Sequence, residues 1–155
     1  MSKLIIVSNR LPLNITIENN DLLISSSSGG LATGMSSVHS QGGSLWIGWS
    51  GIDEERLDDN LKKKIHNELI KENCASVTLT QNDVEDFYYG LSNKTLWPLF
   101  HYFTEFSTFD NKQWESYKKV NQKFADVVVS NLSDGDRVWI HDYQLMLLPS
   151  MIRKI

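Results

Sequence analysis

Short apolar runs alternate along the chain with longer stretches of helical periodicity. The runs "LIIVSNR" (4–10), "SLWIGWSG" (44–51) and "DRVWIHDY" (136–143) turn polar at their C-terminal ends. Such runs are typical of parallel strands that are buried on both faces. The segments "LNITI" and "LLISS" flank the polar turn "ENND", and they predict a β-hairpin.

Between these runs, apolar residues recur at helical spacing. The Gly-rich loop "SSSSGGLATG" (25–34) opens a helix, and residues 53–72 and 110–130 each carry one apolar stripe among polar positions. A short strand at "SVTLT" (76–80) precedes a helix at "QNDVEDFYYGLSN" (81–93). Strands that alternate with helices predict an α/β fold with a mainly parallel sheet flanked by helices.

The segment "LWPLFHYF" (96–103) is unusually aromatic and is expected to be mostly structural. Proline breaks a helix, so Pro98 can leave Trp97 facing a cleft. The roles of His101 and Tyr102 stay open. Four side chains of the segment are expected in the core: Leu96, Leu99, Phe100 and Phe103.

Composition limits the compartment and the partners. The 155 residues fit one domain, and a net charge of -4 gives no global basic field for nucleic acid or anionic membranes. The single cysteine, Cys74, excludes an intrachain disulfide and predicts a reducing, cytoplasmic location. The apolar run near the N-terminus is too short for a signal peptide or a membrane span.

Polar residues at the strand ends are the candidates for chemistry, because open α/β sheets bind ligands there. Arg10 is suited either to a phosphate or to an ion pair with Asp142. Gly29 and Gly30 suit either an anion at a helix N-terminus or a plain loop-to-helix turn. Asp142 suits sugar hydroxyls or a helix cap. His141 and Asp142 lack partners at metal-ligand spacing, so no metal site is predicted.

Three further aromatic residues carry polar atoms on their rings: Tyr88, Tyr89 and Trp97. Sugars present apolar C–H faces together with hydroxyls, and aromatic walls with polar handles suit them. Core packing is the alternative interpretation of the same cluster.

Six segments together resemble the N-terminal signatures of the α,α-trehalose-phosphate synthases, in that family's order from residue 4 to residue 155. They are "VSNRLP", "SSGGLATG", "LWIGWSG", "YYGLSN", "LWPLFHY" and "VWIHDYQLMLLPSMIRK". The resemblance implies a Rossmann-like domain that forms the N-terminal half of a GT-B fold. It implies a retaining transferase that moves glucose from UDP-glucose to glucose 6-phosphate, giving α,α-trehalose 6-phosphate and UDP, without a metal or other cofactor.

The resemblance also assigns roles to residues on the acceptor side. Arg10 matches the arginine that binds the acceptor phosphate. A tyrosine of the family's "YYNGFSN", counted back from the shared "SN", falls on Tyr88, which contacts the acceptor together with Asp142. Trp97 lines the acceptor pocket, and we assign it and Asp142 the catalytic roles.

The resemblance also assigns a pair of glycines and a tryptophan. Gly29 and Gly30 match the pair that lies against UDP-glucose. A tryptophan of "LWIGWSG" also belongs to the pocket, either Trp46 or Trp49, and Trp49 is favoured because it is nearer the strand end.

Two departures from the family pattern bear on these roles. This chain has "FYYGL" where the family often has "YYNGF", so Tyr88 is the match only without a gap. Gln144 stands where "HDYHL" has a second histidine, and glutamine cannot titrate, so no acid–base role is assigned to it.

The apolar stretch at the C-terminus has no cap or polar tail, so the natural chain is expected to continue. Residues 1–155 are then the acceptor-binding domain, and the donor-binding domain lies outside this chain. One domain alone is expected to be inactive, because positioning both reactants supplies roughly 7–11 kcal/mol of a barrier. The alternative is a non-catalytic sugar-phosphate-binding or regulatory subunit. An exposed cleft face also suggests a homo-oligomer.

Overall fold

The computed structural model describes residues 2–18, 21–40 and 42–153. A parallel sheet forms its centre, and its strands are Leu4–Arg10 (β1), Ser44–Trp49 (β4), Cys74–Val77 (β5) and Arg137–Ile140 (β6). Their order across the sheet is β5-β4-β1-β6. Leu13–Glu18 (β2) and Asp21–Ser26 (β3) form a separate antiparallel hairpin. The prediction of a mainly parallel sheet with an inserted hairpin is therefore confirmed.

Each connection between successive strands of the parallel sheet contains at least one helix. The α-helices are Gly30–Ser40 (α1), Asp59–Lys71 (α2), Gln81–Asp83 (α3), Trp97–Phe100 (α4), Asn111–Asn131 (α5) and Leu148–Ile152 (α6), and a π-helix spans Val84–Leu96. Short 3-10 turns cover Glu54–Arg56, Thr104–Phe106 and Tyr143–Leu145. No helix in these described ranges is long and apolar enough to cross a membrane.

Among the boundaries that differ from the prediction, two have a visible cause. The helix expected from residue 53 begins at Asp59, because the Asp58 side chain accepts a hydrogen bond from Leu61 N at 2.7 Å and caps the helix there. The strand expected at 76–80 lies at Cys74–Val77, because pairing with β4 holds that register and ends at Val77.

Helices cover both faces of the sheet. Ile5 and Val7 point into a cluster that includes Phe87 and Phe124, while Ile6 points into a second cluster on the other face. All three β1 side chains are fully buried, which explains the continuous apolar run in the sequence.

Four side chains of residues 96–103 were expected in the core, and this expectation is wrong for three of them. Leu96 packs against the main core, but Leu99, Phe100 and Phe103 are 38%, 51% and 49% exposed. The reason is that the chain leaves the sheet layers here: α4 is followed by Tyr102 with φ 63° and a 3-10 turn. These side chains therefore lie outside both core clusters.

Pro98 does not break the helix as expected. The π-helix runs directly into α4, whose second residue is Pro98. Proline cannot donate to Lys94 O one turn earlier, and that oxygen accepts a hydrogen bond from Thr108 N at 2.9 Å instead. The break comes instead after Phe100.

A buried carboxylate joins α3 to α5. Asp83 accepts hydrogen bonds from Lys119 Nζ at 2.8 Å and Lys123 Nζ at 2.6 Å, and from Thr80 N at 3.1 Å in a capping box. Burial raises the pKa of Asp83, but the two lysines and the Thr80 amide outweigh burial, and the pKa falls from 3.8 to about 2.

We therefore expect Asp83→Asn to lower the free energy of unfolding at pH 7 by about 1–2 kcal/mol, allowing for the exposure of Lys119. The folded-state pKa lies below the unfolded value, so this contribution is complete above pH 3.8 and disappears as the pH falls through about 2. Urea unfolding of both proteins at several pH values measures it. Asp86→Asn is the matched control, because its partner Lys112 is 76% exposed. Equal losses in the two variants would contradict the role of Asp83.

Candidate functional site

A cleft at the carboxyl edge of the sheet brings most of the predicted residues together. Its volume is about 460 Å³, and its lining includes Arg10, Tyr88, Asp142, Gly29 and Gly30. A neighbouring cavity of about 350 Å³ shares Arg10 and Tyr88 and adds Trp49 and Tyr89. Arg10 and Tyr88 therefore stand between the two cavities.

Arg10 lies against an aromatic ring and not against a carboxylate. Its guanidinium carbon is 4.9 Å from the centroid of the Trp49 ring, and Trp49 Nε1 donates to Ile52 O at 3.1 Å, which fixes the ring. Within the described ranges no carboxylate forms an ion pair with Arg10, so the alternative of pairing with Asp142 is not seen. A permanent positive charge thus remains available in the cleft.

Two glycines of "LWIGWSG" make room for Arg10. A Cβ on Gly48 would lie 2.7 Å from the Arg10 carbonyl carbon, and a Cβ on Gly51 would lie 2.6 Å from the guanidinium carbon. Gly51 also has φ +90°, a backbone conformation that favours glycine. Neither glycine is among the site residues predicted from the sequence, although a glycine inside a buried strand is a sign of close backbone approach.

The backbone at Arg10 is held by a short chain of hydrogen bonds. Trp46 Nε1 donates to Ser8 Oγ at 2.8 Å, and Ser8 Oγ donates to Arg10 O at 2.7 Å. Ser8 and Trp46 both line the larger cavity. Both candidate tryptophans are therefore at the site: Trp46 forms part of the cavity wall, and Trp49 supports the guanidinium.

The N-terminus of α1 forms another wall of the cleft. Gly29 and Gly30 lie where this helix begins, and Gly29 N donates to Ser27 Oγ at 3.3 Å. A Cβ on Gly30 would meet nothing within 4 Å. Glycine is thus not required by packing here, and the lack of a side chain leaves the helix amides open to the cleft.

Asp142 follows β6 in a strained backbone conformation. Its φ of 74° and ψ of 169° lie in a region almost confined to glycine. Asp142 Oδ1 accepts a hydrogen bond from Tyr143 N at 2.8 Å, so the predicted cap is present. The cap occupies one carboxylate oxygen, and Asp142 also lines the cleft.

Trp97 is the one predicted residue that lies apart. Its ring is 44% exposed and stacks on His101 with centroids 3.9 Å apart, and it lines neither cavity that Arg10 lines. His101 Nδ1 hydrogen-bonds to Trp97 O at 2.7 Å, which holds this pair together.

Buried polar groups complete the cleft. Asn9 and Gln144 line it, and one side-chain oxygen of each is buried without a hydrogen-bond partner in the described structure. Burial lowers the pKa of the neighbouring His141, against the opposing charge of Asp142. Among the described residues no group of His, Cys, Asp and Glu is placed to hold a metal ion.

Comparison with protein families gives a match to glycosyltransferase family 20 over residues 2–155. The chain is 43% identical to a bifunctional trehalose-6-phosphate synthase/phosphatase of Thermoproteus tenax, over 98% of this chain and 21% of that protein. It is 42% identical to a UDP-forming α,α-trehalose-phosphate synthase of Emericella nidulans, over 99% of this chain and 30% of that protein.

Solved structures give the same match. A UDP-forming α,α-trehalose-phosphate synthase from Burkholderia vietnamiensis superposes with a TM-score of 0.74 at 32% identity, over 99% of this chain and 31% of that one. The enzyme from Burkholderia xenovorans, solved in complex with glucose-6-phosphate, gives 0.70 at 30% identity, over 99% and 31%. The fold is thus the N-terminal portion of a GT-B glycosyltransferase. The chain spans less than a third of the length of each of these four proteins.

Proposed function

Because the chain belongs to glycosyltransferase family 20, we propose that it is the acceptor-binding domain of a retaining glucosyltransferase. The reaction moves glucose from UDP-glucose to glucose 6-phosphate, giving α,α-trehalose 6-phosphate and UDP. A second domain, outside this chain, binds most of the donor.

The observation that carries this proposal is the free guanidinium of Arg10 in a cleft that also holds Tyr88 and Asp142. A guanidinium presents five donors in a planar fork and binds a phosphate through two of them. In the proposal Arg10 therefore anchors the 6-phosphate. The ring of Trp49 keeps the fork oriented, which lowers the entropy lost on binding.

Tyr88 and Asp142 orient the sugar of the acceptor. A tyrosine offers an apolar ring and a hydroxyl, and a carboxylate accepts hydrogen bonds from sugar hydroxyls. Asp142 is the proposed catalytic residue, because an acceptor held by its hydroxyls is aligned with the donor carbon. Trp97 is proposed as the second catalytic residue on the basis of the family resemblance alone, because it lines neither cavity that Arg10 lines.

Gly29 and Gly30 receive the donor. The open amides at the N-terminus of α1 favour the negative charge that develops on the leaving diphosphate. The acceptor oxygen bonds to the glucose carbon that carries UDP, on the same face that UDP leaves. The bond between this carbon and the diphosphate oxygen breaks, and the acceptor proton passes to the diphosphate oxygen.

The reaction is tested by incubating the full-length protein with UDP-glucose and glucose 6-phosphate and measuring UDP and trehalose 6-phosphate. Formation of both products in equal amounts supports the proposal. Binding of glucose 6-phosphate without UDP release would support a non-catalytic sugar-phosphate-binding subunit instead. A phosphorylated acceptor other than glucose 6-phosphate that reacts faster would change the assigned substrate.

Gly51→Ala tests the support of Arg10. The new methyl group overlaps the guanidinium, and φ +90° adds backbone strain. We expect the KM for glucose 6-phosphate to rise about tenfold and the KM for UDP-glucose to stay unchanged. Gly34→Ala on α1 is the matched control, since its Cβ meets nothing within 4 Å. An unchanged KM in Gly51→Ala would show that Arg10 does not need this space.

A further inference from the structure

The backbone at Asp142 needs outside support. Its φ of 74° and ψ of 169° are nearly confined to glycine, so an aspartate stays there only if surrounding contacts hold it. The last hydrogen bond of β6 toward β1 is from His141 N to Val7 O at 2.8 Å. The turn beyond it needs hydrogen bonds from elsewhere.

Two side chains of α5 supply them. Tyr117 Oη donates to Tyr143 O at 2.7 Å and accepts from Met146 N at 3.1 Å. One helical turn later, Asn121 Nδ2 donates to Gln144 O at 3.1 Å and to Tyr117 O at 2.9 Å. Three backbone groups of the four residues after Asp142 are thus bound by one face of α5.

These contacts are rigid. Tyr117 and Asn121 are fully buried. The centroid of the Tyr117 ring lies 5.8 Å from that of Trp114 and 5.7 Å from that of Phe87. Burial raises the pKa of Tyr117, so its hydroxyl stays protonated and can donate. We call Tyr117 and Asn121 together the clamp, and its close packing leaves it little freedom to move relative to the sheet.

The turn is also tied to the helix that carries Tyr88. Tyr143 Oη donates to Asn93 Oδ1 at 3.3 Å, and Asn93 and Tyr88 both lie on the π-helix. The side chain of Asp142 caps its own turn through Tyr143 N. The two acceptor residues therefore share one hydrogen-bonded frame.

We infer that Tyr117 and Asn121 are positioning residues, which hold Asp142 in its strained conformation so that its carboxylate faces the cleft. They do not line the cavities that Arg10 lines, so they act through Asp142 and not on substrate. The inference rests on the proposed role of Asp142 in acceptor binding.

Tyr117→Phe in the full-length protein is the test, because it removes two hydrogen bonds and keeps the ring. We expect the KM for glucose 6-phosphate to rise about tenfold, since small misplacements of a catalytic group are costly. In an Asp142→Ala background the same change is expected to have less than about a twofold effect, because the residue it positions is absent. The KM for UDP-glucose stays the same in both backgrounds.

Val128→Ala is the control for general damage to α5. Val128 is fully buried on the same helix, about three turns from Tyr117. It is expected to lower the melting temperature without changing the KM for glucose 6-phosphate. If Tyr117→Phe does not fold, Asn121→Leu is used in its place, because it removes the hydrogen bond to Gln144 O. Asn121→Leu is then compared in the normal and the Asp142→Ala backgrounds.

An unchanged KM in Tyr117→Phe, or equal effects with and without Asp142, would overturn the inference. If Asp142→Ala itself leaves the KM unchanged, the proposed function of Asp142 fails instead. The clamp is then judged by a crystal structure of Tyr117→Phe: a shift of the Asp142 backbone out of positive φ supports it, and an unchanged φ of 74° overturns it.

Discussion

Replacing Arg10 with alanine is expected to raise the KM for glucose 6-phosphate about a hundredfold, which corresponds to roughly 2.7 kcal/mol. The change removes a charge-assisted, two-donor contact with the phosphate, and contacts of this class are about twice as strong as neutral hydrogen bonds. The phosphate is remote from the reacting carbon, so kcat is expected to change much less than KM. Steady-state kinetics with each substrate varied separately measure both constants.

Two further variants isolate the contribution of the guanidinium. Arg10→Lys keeps the charge but loses the planar fork and its fit to the Trp49 ring, so an increase in KM of about tenfold is expected. Arg137→Ala is the matched control, because Arg137 is exposed and begins β6 at the opposite, amino edge of the sheet. An Arg10→Ala enzyme with a normal KM for glucose 6-phosphate would remove Arg10 from the acceptor site.

Replacing Asp142 with alanine is expected to lower kcat/KM for glucose 6-phosphate by about a hundredfold to a thousandfold, since an acceptor that is held loosely is poorly aligned with the donor carbon. The KM for UDP-glucose should stay near its normal value, because Asp142 lies on the acceptor side of the cleft in the proposal. Asp142→Asn keeps the short polar side chain that tolerates positive φ, so it is expected to lose activity less severely.

The control for Asp142 is Asp134→Ala. Asp134 is exposed in the turn before β6, at the edge of the sheet away from the cleft. Activity should be normal in this variant. A parallel loss of affinity for UDP-glucose in Asp142→Ala would indicate that the residue acts on the donor or on the fold, contrary to the proposal.

The sheet could be predicted because its physics is local. Ile5, Ile6 and Val7 are buried on alternate faces, so these successive positions of β1 are all apolar, and the run is visible in the sequence. The exposure of Phe100 and Phe103 could not be predicted in the same way. Their burial depends on which part of the chain covers them, and composition alone does not contain that information.

The same distinction applies to the site. The position of Arg10 and Asp142 at one cleft was predictable because each stands at the end of an apolar run, and the carboxyl ends of parallel strands meet at one edge. Gly48 and Gly51 were not, because their role depends on the parallel pairing of β1 with β4, which brings Arg10 opposite Trp49. That register is a long-range property.

The most direct test of the acceptor site compares the binding of glucose 6-phosphate with that of glucose. Calorimetry of the full-length protein and of Arg10→Ala gives the ratio of the two dissociation constants for each. We predict that the normal protein prefers glucose 6-phosphate by about a hundredfold and that Arg10→Ala loses nearly all of this preference. An equal preference in the two proteins would exclude Arg10 as the phosphate ligand, because the phosphate would then be bound elsewhere.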